Sequence, residues 1–354
     1  MSEFLASAVM KVKPEPGIEI GRIKIPQPGS SEVIIKVRAA GICGSDIHIY
    51  KWSAGYEWME KLMPVVLGHE FAGEIVQLGE GVSTLHIGQR VVCKHIVPCG
   101  KCKSCLSNRS YLCQVCRPHA IGLRRNGGFA NYVVVPAVNC LDLPDDVSFE
   151  LGALVQPVVL TSNAVERSGL TIGDKVVFMG PGPIGLLTLA AAKLSGATEI
   201  AVIGTKGDEE RLLLAKKLGA TCLVKADEED PVEAINRFTG GEGADLVFEA
   251  AGVGAAVGQG LLMLRPGGKL VSLAVHHSPV PIDITKFNRA DLTMIGIHEG
   301  PITWERGLSL VRANTQVFSS FISRRFSLEE ALEAFEMAID RKVVKAMLIP
   351  GDGD

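Results

Sequence analysis

The sequence predicts an α/β protein in which a β-rich domain accompanies a doubly wound parallel sheet. Up to about residue 129 the chain consists of short segments with alternating apolar residues, whereas from about residue 157 apolar strands alternate with helical patterns. A glycine-rich turn joins the first of those later strands to a helix. The length of 354 residues exceeds what a single core normally supports. Two domains are therefore expected.

The β-rich prediction depends on residue alternation. In SEVIIKVRAAG, Val33, Ile35 and Val37 alternate with Ile34 and Lys36, which indicates a half-buried strand with the first set inward. HEFAGEIVQLG and QRVVCKHIV are similar segments, separated by Gly, Pro and Ser turns. These segments predict a sheet or a barrel.

Composition and charge exclude several classes of function. The net charge of −3 and the lack of a block of like charge argue against a nucleic-acid partner. The first residues lack the apolar stretch of a secretory signal, and no run reaches the roughly 18 apolar residues that a membrane span needs. We therefore expect a cytoplasmic protein with small-molecule partners and no membrane association. Nine cysteines without a signal favour metal binding or chemistry over disulfides.

The glycine-rich turn predicts a dinucleotide site. The strand KVVFM leads into Gly180, Pro181, Gly182, Pro183, Ile184 and Gly185, and then into a helical pattern. The first glycine permits a tight turn, the second admits a pyrophosphate, and the third allows close packing of helix and strand. This Rossmann fingerprint predicts NAD(P), the alternative being an ordinary glycine-rich turn between strand and helix.

The end of the second strand of this region favours NADP. NAD-binding domains place an acidic residue there for the ribose hydroxyls, but this chain has Gly204, Thr205 and Lys206. A hydroxyl and a cation could accept a 2′-phosphate, with Arg211 as a second cation. In the competing interpretation, Lys206 and Arg211 are solvated and Asp208 caps a helix.

Four closely spaced cysteines predict a structural zinc site. Cys99, Cys102, Cys105 and Cys113 lie in PCGKCKSCLSNRSYLC, a segment rich in turn formers. Four thiolates can close a tetrahedral shell around zinc and leave no open position. Free buried cysteines, the alternative, would not cluster in this way.

A second set of potential metal ligands is scattered along the chain. It comprises Cys43 in GICGSDIHIY, His69 and Glu70 in VLGHEFAG, and a later residue from GALVQP. A thiolate, an imidazole and a carboxylate can hold a catalytic zinc and leave a position open for substrate. Taken singly, Cys43 could equally be a core residue, and His69 with Glu70 a satisfied polar pair.

At these residues the chain resembles the zinc-containing medium-chain alcohol dehydrogenases, in particular the L-threonine and sorbitol (polyol) dehydrogenase branch. CGSDIH, GHE, the four-cysteine lobe, GGFANY, GPGPIG and LRPGGKLV occur in the order that is typical of this family. The resemblance implies a GroES-like catalytic domain over residues 1–156 with a zinc lobe at about 93–117. It further implies a Rossmann domain over 157–294 and a return of residues 295–354 to the catalytic domain.

The resemblance also implies roles for individual residues. Cys43 and His69 match the catalytic zinc ligands of the family, and Glu70 matches a carboxylate that binds the zinc or stands beside it. Ser45 and His48 match the relay that carries the substrate proton to solvent. Without the family pattern, a turn cap and a surface residue would explain Ser45 and His48.

Gln156 departs from the family pattern. Polyol dehydrogenases typically have Glu in this GALxxP context, threonine dehydrogenases Asp, and classical alcohol dehydrogenases Cys. An amide oxygen can bind zinc but adds no negative charge, so a working site with Gln156 as a ligand is expected. The alternatives are a nicotinamide-binding protein with a lapsed zinc site, and a zinc-independent enone or quinone reductase, against which Cys43, His69 and Glu70 argue.

The expected reaction is reversible hydride transfer between a secondary alcohol and NAD(P). A polyol, a sugar alcohol or a threonine-like substrate agrees best with the resemblance, which also implies a homodimer or homotetramer. Tyr50, Trp52, Tyr56 and Trp58 lie in a stretch similar to one in threonine dehydrogenases. These aromatic residues could line the substrate site, contribute to a dimer interface or pack internally.

Overall fold

The computed structural model describes residues 4–107, 109–115, 120–300 and 303–351. The chain divides into two compact units. The first combines Met1–Gln156 with Thr303–Asp354, and the second is Pro157–Ile302.

The first unit is rich in strands. Its strands are β1 (Phe4–Lys11), β2 (Glu19–Ile25), β3 (Glu32–Gly41), β4 (Val65–Val66), β5 (Glu70–Leu78), β6 (Arg90–Cys93), β7 (Tyr132–Pro136), β8 (Cys140–Asp142), β15 (Ile322–Phe326) and β16 (Lys345–Leu348). They form a three-stranded sheet in the order β2-β1-β4 and a seven-stranded sheet in the order β15-β16-β3-β5-β6-β8, in which β7 also pairs with β3. The C-terminal strand β16 pairs with β3, so both ends of the chain build this unit.

Short helices connect these strands. They are α1 (Gly44–Tyr50), α2 (Lys103–Leu106), α3 (Phe149–Ala153), α10 (Trp304–Ala313), α11 (Thr315–Ser319) and α12 (Ala331–Ile339). Helix α4 (Val155–Ser168) begins in the first unit and continues into the second. Helix α1 follows β3 directly, a placement that matters for the metal site.

Strand β3 is more deeply buried than its alternation predicts. Val33, Ile35 and Val37 lie in the main core of this unit, as expected. Ile34, expected on the polar face, is also buried, because it packs with Ala6 and Ile25 in a second, smaller cluster. The pattern of β3 alone could not reveal that both faces of the strand are covered.

The second unit is the predicted doubly wound sheet. Its strands are β9 (Lys175–Met179), β10 (Glu199–Gly204), β11 (Cys222–Lys225), β12 (Ala244–Glu249), β13 (Leu264–Ser272) and β14 (Thr293–Gly296). All pairings are parallel, in the order β11-β10-β9-β12-β13-β14. The connecting helices are α5 (Pro183–Leu194), α6 (Glu209–Lys217), α7 (Pro231–Phe238), α8 (Gly254–Met263) and α9 (Ile284–Arg289). The strand order reverses between β9 and β12, where doubly wound sheets bind their ligands.

The second domain boundary falls later than the sequence predicts. Placing it after residue 294 would divide β14, which pairs with β13 from Thr293 to Gly296. The parallel ladder therefore keeps this strand in the second unit, which extends to Ile302.

Across the described ranges, no helix is long and apolar enough to cross a membrane.

Candidate metal and cofactor sites

Strand pairing brings the scattered metal-ligand candidates together. Cys43 caps the N-terminus of α1 immediately after β3, and His69 and Glu70 begin β5. Because β3 and β5 are antiparallel with Gly41 opposite Glu70, the end of one strand meets the start of the other. The ligand atoms of Cys43, His69 and Glu70 lie within 4.8 Å of one another. This trio can hold a metal ion through one sulfur, one nitrogen and one oxygen.

A buried aspartate supports the imidazole of His69. Asp46 lies on α1, where its carboxylate accepts a hydrogen bond from the backbone N–H of Cys43 at 2.9 Å. Its other oxygen lies 3.6 Å from Nδ1 of His69. Both side chains are buried. An aspartate behind the far nitrogen orients a ligating histidine and raises its basicity.

A buried lysine holds the carboxylate of Glu70. Nζ of Lys345 donates to Oε2 of Glu70 at 2.6 Å and to the carbonyl of Ile42 at 3.1 Å. Lys345 is 2% exposed and Glu70 is fully buried. The second oxygen, Oε1, has no hydrogen-bond partner in the described part of the chain. An orphaned oxygen beside a thiolate and an imidazole fits a cation.

Gly41 makes room for this ion pair. A Cβ atom there would lie 2.5 Å from Oε2 of Glu70 and 3.5 Å from the side chain of Lys345. Any larger residue would therefore displace the Glu70 carboxylate.

Burial and neighbouring negative charges act in opposite directions on Lys345 and His69. Burial lowers the pKa of Lys345, but the charges of Glu70 and Cys43 outweigh it and raise the pKa overall. Burial likewise lowers the pKa of His69, and the charges of Asp46 and Cys43 raise it well above its usual range. Negative charge thus accumulates around the place where a cation would sit.

The two candidate relay residues lie on α1 beside this trio. Oγ of Ser45 is 3.5 Å from Nε2 of His69, and Nδ1 of His48 is 3.5 Å from Oγ of Ser53. Ser45 thus faces the trio, whereas His48 faces the loop that follows the helix.

Gln156 is buried near the start of α4, at 7% exposure. It belongs to the first unit, as Cys43, His69 and Glu70 do.

The four-cysteine lobe has the dimensions of a tetrahedral metal site. Sγ of Cys99 lies 3.8 Å from Sγ of Cys105, and Sγ of Cys102 lies 3.6 Å from Sγ of Cys113. Sulfurs about 2.3 Å from a tetrahedral zinc are about 3.8 Å apart. Backbone N–H groups of Lys101 and Cys102 lower the pKa of Cys99, which favours the thiolate. Of the predicted lobe at about 93–117, residues 108, 116 and 117 lie outside the described residues.

The glycine-rich turn has the geometry expected of a pyrophosphate loop. Gly180 has φ +90°, and a Cβ there would lie 2.7 Å from Cα of Ala251. A Cβ atom at Gly185 would lie only 2.0 Å from the carbonyl oxygen of Gly180. Gly182, in contrast, has open space around its Cβ position, and Pro183 and Ile184 open helix α5. A free approach to the N-terminus of this helix suits a bound anion.

The predicted phosphate-recognising residues have different surroundings. Lys206 has an exposed side chain, and its backbone N–H donates to both carboxylate oxygens of Asp227 at 3.0 Å. Thr205 donates from its hydroxyl to Asp208 at 2.7 Å, which caps the turn after Gly204. Arg211 is only 8% exposed, with its guanidinium 3.8 Å from Asp208. Arg211 is thus held inside the domain, unlike the solvated residue of the competing interpretation.

Three residues around the candidate metal site were not predicted from the sequence. Asp46 lies in the recognised CGSDIH segment, and its position three residues after Cys43 was the available signal. Gly41 and Lys345 gave no signal, because their roles depend on a strand pairing that spans the whole chain.

Comparison with known proteins decides the family. Residues 29–145 match the alcohol dehydrogenase GroES-like domain, and residues 183–313 match the zinc-binding dehydrogenase domain. The chain belongs to the zinc-containing medium-chain alcohol dehydrogenase family. It is an oxidoreductase that moves hydride between an alcohol and a nicotinamide dinucleotide, as the resemblance implies.

Relatives cover almost the entire dehydrogenase chain. The L-threonine 3-dehydrogenase of Bacillus licheniformis is 38% identical over 350 residues, which cover 97% of this chain and 98% of the relative. The enzyme of the same name from Thermococcus kodakarensis is 36% identical over 354 residues, with 98% of each chain covered.

Two solved structures share the fold closely. The 2R,3R-butanediol dehydrogenase of Bacillus subtilis has a TM-score of 0.87 and 31% identity, covering 98% of this chain and 100% of its own. A zinc-binding dehydrogenase from Sinorhizobium meliloti, bound to NADP, has the same TM-score with 32% identity and the same coverage. The comparisons do not favour a zinc-independent reductase or a lapsed site.

Proposed function

We propose that this dehydrogenase oxidises, reversibly, a secondary alcohol whose carbinol carbon neighbours another polar group, as in L-threonine, vicinal diols and sugar alcohols. The observation that carries the proposal is the trio of Cys43, His69 and Glu70, in which His69 and Glu70 are buried and one Glu70 carboxylate oxygen has no partner among the described residues. The names of the relatives support the substrate class, since threonine and 2,3-butanediol both place a polar group beside the reacting hydroxyl.

Cys43, His69 and Glu70 would hold a catalytic zinc, with Gln156 as a fourth candidate ligand. When bound, zinc supplies Lewis-acid chemistry that lowers the pKa of an alcohol. Gln156 is placed in this set because of its family context and its burial. Because the amide of Gln156 is neutral, Cys43 and Glu70 would have to balance the positive charge of the zinc ion.

The surrounding residues have distinct tasks. Asp46 would keep His69 in one orientation, and Lys345 fixes Oε2 of Glu70, so that Oε1 would be the oxygen left to bind a metal ion. Ser45, beside His69, would accept the proton of the substrate hydroxyl, and His48 would pass it toward solvent. Cys99, Cys102, Cys105 and Cys113 would bind a structural zinc that orders their lobe.

The dinucleotide would bind at the carboxyl edge of the parallel sheet. Gly180, Gly182 and Gly185 shape the pyrophosphate loop, and the nicotinamide supplies the hydride acceptor. We favour NADP because Lys206 offers an exposed cation after a strand that ends without an acid. The NADP-bound neighbour agrees with this choice. Lys206→Ala should then lower kcat/KM for NADP by about 10-fold and leave that for NAD unchanged.

A homodimer or homotetramer is also proposed. Strand β14 is the edge of the six-stranded sheet, and its Met294 is 40% exposed. An exposed apolar edge strand is suited to pairing with a second copy. Light scattering coupled to size-exclusion chromatography measures the number of chains. A cytoplasmic location is proposed on the grounds of composition alone.

The decisive experiment follows absorbance of the reduced nicotinamide with both cofactors. Substrates would be L-threonine, 2,3-butanediol, a sugar alcohol and 2-propanol, which lacks the neighbouring polar group. The proposal predicts at least about 10-fold higher kcat/KM for a substrate with that group. A preference for 2-propanol would overturn the substrate class. Purified wild type that holds no zinc, together with turnover that Gln156→Ala leaves unchanged, would favour a lapsed site.

A further inference from the structure

A ladder of stacked side chains runs beside the candidate relay residue. The guanidinium of Arg124 lies 3.7 Å from the ring centroid of Trp58. The ring of Trp58 is 6.1 Å from that of Tyr56, which in turn is 6.2 Å from the imidazole of His48, with 18° between their planes. The ring of Tyr56 therefore packs beside both Trp58 and His48.

The backbone at Tyr56 is also held in place. The backbone N–H of Gly55 donates to both carboxylate oxygens of Glu57, at 2.9 and 3.0 Å. Tyr56 then caps a 3-10 helix, Glu57–Leu62, which is anchored by the fully buried Met59. The backbone of Tyr56 thus lies between a hydrogen-bonded glycine and a helix with a buried anchor.

The hydroxyl of Tyr56 has no hydrogen-bond partner within the described ranges, although the side chain is half-buried. Burial, and then the charges of Cys43 and Asp46, raise the pKa of Tyr56. Because its ring stacks on His48, the phenol lies against α1, the helix that Cys43 caps. A phenol in this environment stays protonated near neutral pH and can both donate and accept a hydrogen bond.

We infer that Tyr56 is a specificity-determining residue whose hydroxyl hydrogen-bonds the polar group beside the reacting carbinol of the substrate. The partner would be a second hydroxyl, an ammonium or a carboxylate, all of which a neutral phenol can engage. None of the other side chains in the ladder offers a hydroxyl. This inference rests on the proposed function, because it needs a substrate at the trio of Cys43, His69 and Glu70.

The test is Tyr56→Phe, which keeps the stacked ring and removes only the hydroxyl. We expect kcat/KM for 2,3-butanediol or L-threonine, whichever the wild type prefers, to fall about 10-fold, mainly through a higher KM. Turnover of 2-propanol should change less than twofold, because it has no second polar group. The matched control is Tyr50→Phe, since the ring of Tyr50 stacks on Phe335 at 5.3 Å within the same unit.

Each outcome is informative. A selective loss with the polar substrate in Tyr56→Phe, absent from Tyr50→Phe, supports the inference. If kcat/KM falls equally for all substrates, Tyr56 has a structural role and the inference is overturned. The inference is also overturned if the ratio of kcat/KM between polar and simple alcohols is unchanged. If wild type turns over no polar substrate more efficiently than 2-propanol, the proposed substrate class is wrong. That result is distinct from a failure of the Tyr56 inference, which is judged from the variants.

Discussion

Replacing Lys345 with methionine should destabilise the β-rich unit of the metal-free protein by about 3–5 kcal/mol. Methionine preserves most of the apolar stem but leaves the buried carboxylate of Glu70 and the carbonyl of Ile42 without their donor. With Lys345 at 2% exposure and Glu70 fully buried, solvent cannot compensate. Since the pKa of Lys345 is raised, its charge is present at pH 7 and is lost only as the pH rises through that value.

Two further variants separate the buried charge from lost packing. Glu70→Gln removes the negative charge, and the double variant Lys345→Met with Glu70→Gln removes both charges. The double variant should be more stable than Lys345→Met alone by at least about 1 kcal/mol, because no uncompensated carboxylate remains. This coupling is the signature of an ion pair.

Unfolding in urea, followed by tryptophan fluorescence, measures these differences. The three tryptophans, Trp52, Trp58 and Trp304, all belong to the β-rich unit, so the signal reports on that unit. Every sample contains the same strong chelator. A stabilising ion pair is excluded if the unfolding free energy of Lys345→Met lies within about 1 kcal/mol of that of wild type, or if the double variant is no more stable than Lys345→Met.

Three other predictions follow from the remaining sites. Cys113→Ser should remove one zinc ion per chain and expose the lobe to protease, and unchanged zinc content by elemental analysis would refute the four-sulfur site. Gly180→Ala should lower the free energy of unfolding by about 1–3 kcal/mol, because Gly180 has a positive φ and lies close to the backbone of Ala251. Gly182→Ala should leave thermal stability nearly unchanged but weaken NAD(P)H binding about 10-fold. Equal effects of the two glycine variants on cofactor fluorescence and on thermal unfolding would contradict this division. Burial raises the pKa of Asp245, but hydrogen bonds from the Lys175 backbone and the Arg265 side chain lower it overall. Asp245→Asn should therefore lower the free energy of unfolding by about 1–2 kcal/mol at pH 7. This loss should shrink below about pH 4, because the carboxyl group of wild type is then protonated. Circular dichroism at both pH values measures that difference, and a loss independent of pH would argue against the ionic contribution.

Features encoded in short segments were predictable from the sequence. The spacing of Cys99, Cys102, Cys105 and Cys113 is local, and the turn at Gly180 lies between a clear strand and a clear helix. Alternation of strands and helices predicted the parallel sheet for the same reason, because each element is specified within about ten residues.

Features that depend on distant pairing were not predictable in this way. Glu70 and Lys345 are 275 residues apart, and no local pattern links them. The burial of Ile34 depends on a cluster contributed by two other strands. Arg211 looked like a helix-start cation, but its contact with Asp208 places it inside the domain. Tertiary context decides each of these cases.

Zinc content measured together with turnover is the most direct test of the catalytic zinc site. Wild type and Cys43→Ser would be compared by elemental analysis and by chelator-sensitive reduction of the nicotinamide. If Cys43 binds the catalytic zinc, wild type should hold two zinc ions per chain and Cys43→Ser one, with turnover only in wild type. Equal zinc content in both proteins, or turnover that survives complete removal of zinc, would contradict it.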